Sequence, residues 1–239
     1  MDFLTEVLKD YPEGLQWFKD SQFGHLFDVP NHLETNLAAM WMMLCREVET
    51  KKEHESWFVV NGIPIRFSLV EYALISGLKC SDYPDGWKDF GSGAFREFYF
   101  PGMKNVGLVD IKDRLLRMKI DCQGNQKRSK INIILNEKKK TSKLKMAVLF
   151  FLSSVLLHRD KNTTHVGDME LRIVDDLEAC RNFLWGINSF DYLMTNIRKC
   201  DIVNRSSLVH DKGADCATWS FCGFVLPLMV SFVCLDGKY

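Results

Sequence analysis

Two periods run through the apolar positions of this 239-residue chain. From Asn31 to Thr50, the residues Leu33, Leu37, Met40, Trp41, Leu44 and Val48 fall three and four apart. That is the stripe of an amphipathic helix, with Asn31 as N-cap behind Pro30. Between 56 and 67 the pattern shortens. SWFVV is aromatic and β-branched, Asn61-Gly62 suits a tight turn, and IPIRF reads as the return strand. Pro64 lacks an N–H donor, so the return strand belongs at a sheet edge. Ser68 with Glu71 forms a capping box for a helix from Leu69 to Ser76, which Gly77 ends. Arg66 is placed to reach a carboxylate.

Other stretches read less evenly. Residues 2–9 predict a short helix stopped by Pro12 and Gly14. From Cys80 to Gly107 the periodicity dissolves into glycines, prolines and aromatics, so a loop packed on the body of the protein is expected, with a recognition surface as the alternative. VDIKDRLLRM (109–118) predicts an amphipathic helix, and 121–140 a solvated loop with one apolar run, INIIL. Residues 143–158 (KLKMAVLFFLSSVLLH) are apolar nearly all round, as a central core helix should be. Asp175–Leu184 predicts a helix that Gly186 breaks, and Ser189–Lys199 another. The class expected is mainly α (α+β): a lead-in over 1–19, then one helical domain over 20–239 with a small β-hairpin around 56–67.

Composition adds mostly exclusions. Hydrophobic residues are 46% and charged residues 26%, so a packed core is expected. Lys plus Arg and Asp plus Glu both total 31, so any polyanionic partner would need a local patch. The eight cysteines (45, 80, 122, 180, 200, 216, 222, 234) form no C-x-x-C pair and read as reduced, buried thiols of an intracellular protein. MDFLTEVLKDYPEG carries acids and no apolar run of signal-peptide length. Trp219–Leu235 has no charge over 17 residues, but Pro227 interrupts it and no basic cluster flanks it. A buried core helix is expected there, not a membrane span.

Motifs for chemistry are missing. No G-x-G-x-x-G or G-x-x-x-x-G-K-[ST] occurs. His25 with His32, and His210 with Cys216 and Cys222, lack the paired spacing of a zinc site. Cys45 and Cys180 fall inside amphipathic helices, where an inert thiol is the expectation. No catalytic residue, metal ligand or cofactor is therefore assigned. One electrostatic feature stands out. Lys127, Arg128, Lys130, Lys138, Lys139, Lys140, Lys143 and Lys145 face a single acid, Glu137, between 127 and 145. Such a run serves as an import signal or a phosphate-backbone contact, or else is a solvated loop and helix start.

The order of segments carries a resemblance. FGHLFDVP (Phe23–Pro30), then WFVVNGIPIRFSLVEYALISGLKC (Trp57–Cys80), then KLKMAVLFFLSSVLL, then DDLEACRNFLWG (Asp175–Gly186) resembles the plant family called domain of unknown function 1985. The likeness spans about residues 20–200. It implies a plant protein, often encoded by transposon-derived genes. Larger relatives carry a Ulp-type, SUMO-protease-like cysteine protease domain downstream. The family supplies no catalytic residues to carry over. The chain departs from it in the lysine-rich stretch 121–140, which looks inserted, and in its ending FVLPLMVSFVCLDGKY, which looks altered or truncated.

The function expected is a non-catalytic interaction module that binds protein or nucleic acid without a cofactor, nuclear if the basic run acts in import. The alternatives are an orphaned targeting domain of a SUMO-protease-like peptidase, and a cryptic Cys/His hydrolase. The latter would need a cysteine and a histidine within hydrogen-bond reach in a cleft.

Overall fold

A computed structural model describes residues 1–29, 47–48, 50, 52, 54–60, 62–120, 130–158, 165–198 and 222–236. Among them are ten α-helices and one small antiparallel sheet, a mainly α fold with a β element. The chain divides into two compact units, each built from two separate stretches: Met1–Asn31 with Tyr83–Phe183, and His32–Asp82 with Leu184–Tyr239.

The second of these units holds the sheet. Strands β1 (Glu47–Val48), β2 (Glu55–Val60) and β3 (Ile63–Ser68) lie in the order β1-β2-β3, so Pro64 does fall on an edge strand. The hairpin register pairs Val60 with Ile63 and Glu55 with Ser68. Alternation then puts Ser56, Phe58 and Phe67 inside and Val59, Pro64 and Arg66 outside. Asn61 lies outside the described residues. Gly62 in the turn and Gly77 beyond the next helix both take left-handed backbone (φ 79° and 62°). Helix α3 (Leu69–Ser76) starts as its sequence predicts. The Ser68 hydroxyl oxygen accepts from the Val70 N–H at 3.2 Å, and Glu71 accepts from the Ser68 N–H at 2.8 Å. The Arg66 guanidinium meets Glu71 at 2.6 Å.

Most of the helix expected over Asn31–Thr50 lies outside the described residues, but Glu47 and Val48 form a strand. Glu47 pairs with Phe58, and its carboxylate accepts from the Ser56 hydroxyl at 2.8 Å. A free strand edge on β2 outweighed the helical spacing of Val48. Helix α9 (Trp185–Arg198) contributes a stripe of Ser189, Phe190, Leu193, Met194 and Ile197, all at or below 2% exposure. Gly186 does not break a helix, as the sequence suggested, but lies in the first turn of α9. A Cβ there would sit 2.5 Å from the Lys79 carbonyl oxygen and against the Cys80 sulfur, so the glycine permits close packing. The last helix, α10 (Leu226–Asp236), covers 11 residues and packs on α3. Pro227 is its second residue, where a missing N–H costs nothing. Phe67, Tyr72, Phe190 and Phe224 make the aromatic centre of the unit, with ring centroids 5.4–6.4 Å apart.

The other unit is built around α6 (Lys130–Phe151), which a wider π turn (Leu152–Leu156) extends. Met146, Ala147, Val148, Leu149, Phe151 and Leu152 are fully buried. Phe18, Phe23 and Phe27 gather on Phe151 at 4.9–6.4 Å, and Phe3 meets Phe150 at 4.8 Å. Helix α1 (Asp2–Val7) is as expected, but the chain does not stay irregular after Pro12. Pro12 opens α2 (Pro12–Lys19), because proline's fixed φ suits a first helical position as well as it ends a helix. The region read as a loop after Cys80 contains a 3-10 turn (Trp87–Asp89) and α4 (Ala94–Tyr99), too short to show a period. Helix α5 (Leu108–Arg117) packs on α6, and α4 on α7 (Asp168–Ile173). Asp176 caps α8 (Leu177–Asn182), accepting from the Glu178 and Ala179 N–H groups at 3.0 Å.

Part of the stretch 121–140 is helix and not loop. Residues 121–129 lie outside the described residues, whereas 130–140 are helical and continuous with the apolar segment. A polar composition does not separate a solvated loop from the exposed turns of a long helix.

Candidate functional site

An open groove of about 670 Å³ runs along α6 from Ile134 to Lys145, within the unit that α6 organises. Ile134, Lys138, Thr141 and Lys145 line it from α6. They recur at four, three and four residues, so one stripe of the helix faces the groove. Helix α4 supplies the opposite wall with Ala94, Phe95, Phe98 and Tyr99. Phe95 is anchored in the core at 3% exposure, which fixes the helix. Phe98 then points outward and is 75% exposed, and Ile134 across from it is 57% exposed.

Asp175 closes one end. It accepts from the Lys145 ammonium at 2.7 Å and from the Ser92 hydroxyl. Burial works to raise this carboxyl, but those two hydrogen bonds and the lysine charge outweigh it and hold the group below its ordinary value. Along the rim, Lys140 pairs with Glu137 at 3.2 Å and lies 5.5 Å from the Tyr11 ring centroid. Its ammonium is held above the ordinary lysine value, first by the hydrogen bond to Glu137.

The basic run is thereby divided. Lys127 and Arg128 lie outside the described residues. Lys130 begins α6. Lys143 is drawn inward to 7% exposure, while Lys140 and Lys145 are held by acids of the same unit. Lys138 and Lys139 are exposed and carry no ion pair among the described residues. The aromatic segment divides too. Phe95 and Phe100 are buried, and Tyr83 stacks on Trp87 at 4.1 Å, with Phe183 6.1 Å from each. Phe98 is the large hydrophobic residue of that segment left in solvent. The sequence flags both the aromatics and INIIL but gives no sign that Phe98 and Ile134 line one groove, since 35 residues separate them.

Among the described residues, no group of three His, Cys, Asp or Glu side chains is placed to hold a metal ion. Among the described residues, Cys80, Cys180 and Cys222 form no disulfide. Burial pushes the Cys80 thiol up to about 11, which works against a thiolate nucleophile at neutral pH. Among the described residues no helix is long and apolar enough to cross a membrane.

No curated protein and no solved structure matches the chain. One family model does match, over residues 44–196, well over half of the chain. The chain therefore belongs to the family described as a domain of unknown function, DUF1985.

Proposed function

We propose that the chain is a non-catalytic interaction module whose working surface is the groove between α4 and α6, and that its ligand is a protein. The observation that carries this is Phe98 and Ile134, two large apolar side chains left in solvent on facing helices. A contiguous exposed apolar patch rimmed by polar groups is the mark of a contact site. The setting is nuclear if the basic run, of which Lys138 and Lys139 stay exposed, acts as an import signal. A targeting role beside a Ulp-type protease domain is the alternative that the resemblance to transposon-associated plant proteins suggests.

Nucleic acid is the second reading, favoured by the exposed cations Lys138 and Lys139. It is weaker because Lys140, Lys143 and Lys145 are turned to internal partners or buried, and backbone binding scales with the number of cations offered.

The test is photo-crosslinking of the full chain in an extract of its source cells, with benzoylphenylalanine at position 98 and, as control, at exposed Val109. A discrete protein adduct at 98 and not at 109 is expected. Titration of the purified chain with single-stranded and duplex DNA over a salt series accompanies it. Salt-dependent DNA binding without a protein adduct at 98 would replace the first reading with the second. Neither signal would remove both.

A further inference from the structure

We infer that the groove takes an acidic amphipathic segment of a partner protein, with an apolar side chain seated between Phe98 and Ile134 and a carboxylate set against Lys138. This rests on the reading of the chain as a protein-binding module and names the class of partner.

The argument is one of charge left over. Inside the groove Lys145 is answered by Asp175, and Glu137 is answered by Lys140. Lys138 is not answered by any acid among the described residues. It stands one helical turn from Ile134 on the same stripe of α6. A ligand that covers Ile134 therefore comes within reach of the Lys138 ammonium. A wholly apolar ligand would strip water from that charge without replacing it, which is costly. A cationic ligand would be repelled. A carboxylate one turn from an apolar anchor satisfies both neighbours at once, and an amphipathic helix laid in a groove has that spacing.

The dimensions agree. An open groove of about 670 Å³ has room for a few large side chains. A polynucleotide fits less well. Its backbone needs a track of cations, and beyond Lys138 and Lys139 the following lysines of α6 are engaged or buried.

The experiment sorts a displayed library of random peptides, about twelve residues each to allow three helical turns, on the full chain and on its Lys138→Glu variant. The expected wild-type pool is enriched in Asp or Glu three or four residues from Leu, Ile or Phe. The Lys138→Glu pool should shift to Lys or Arg at the same spacing. A selected acidic peptide should bind Lys138→Glu and Phe98→Ser at least about tenfold more weakly, as expected for one lost charge pair or one lost apolar anchor. Both residues are exposed, and unchanged circular dichroism confirms that each variant folds. A pool with no acidic enrichment, the same pool from both proteins, or no enrichment at all overturns the inference. If crosslinks at position 98 persist while the acidic pool is absent, the module reading stands and only the class of partner is wrong.

Discussion

The Tyr72 hydroxyl stands 2.6 Å from the Ser189 hydroxyl, both fully buried, joining α3 to α9 across 117 residues of sequence. Ser189 also donates to the Trp185 carbonyl at 2.7 Å. Its one proton is used there, so Tyr72 is the donor of the pair. Burial pushes the Tyr72 phenol well above its ordinary value and keeps it protonated, as that role requires.

The direction of this bond predicts an asymmetry. Tyr72→Phe leaves Ser189 with its carbonyl partner and should cost about 1 kcal/mol. Ser189→Ala leaves a buried phenol donor without an acceptor and should cost about 2–3 kcal/mol. Urea unfolding of the two variants measures the difference. Equal losses would show that Tyr72 is not the donor.

Gly186 predicts a steric effect in the same unit. Its Cβ position lies 2.5 Å from the Lys79 carbonyl oxygen, and the Gly186 N–H donates to that oxygen at 2.9 Å. Gly186→Ala cannot keep this bond without moving α9 away from the segment that follows α3. A loss above about 2 kcal/mol is expected, far more than the small gain that alanine brings inside a helix. A variant as stable as wild type in thermal unfolding would show that α9 shifts freely.

Asp175 predicts a pH dependence. Its carboxyl is held below the ordinary value of 3.8 in the folded protein. Ionisation therefore favours the folded state. The stabilisation is complete above 3.8 and disappears as the pH falls through the lower folded value. Asp175→Asn should be less stable than wild type by about 1–2 kcal/mol at neutral pH, with the gap closing as the pH is taken below 3.8. A gap that stays constant between neutral and acid pH would place the loss in packing instead.

The hairpin and α3 were legible because each local signal there agrees with the final packing. Ser68, Glu71, Pro64 and Gly77 act within a few residues of themselves, and their structural roles follow from spacing alone. Elsewhere one residue type serves two opposite ends. Pro12 lies past the end of α1 and also opens α2. Gly186 has the type of a helix breaker and is a close-packing position. The exposed turns of α6 resemble a loop because lysines suit both. The candidate site was half legible. A cluster of eight cations is plain in the sequence, but which of them keep a free charge depends on Asp175 and Glu137. The burial of Lys143 is likewise set by the fold and not by neighbouring residues.

The unit that contains the sheet is written in two instalments, and this has a consequence for synthesis. Phe67 and Tyr72 leave the ribosome with α3, but Phe190 and Ser189, which cover them, follow more than a hundred residues later. At about 5–20 residues per second, an apolar half-core waits roughly 6–23 s for its complement. During that interval the other unit's second stretch is being made. A stop codon placed between the instalments would release this half-core without its cover, not a smaller folded protein.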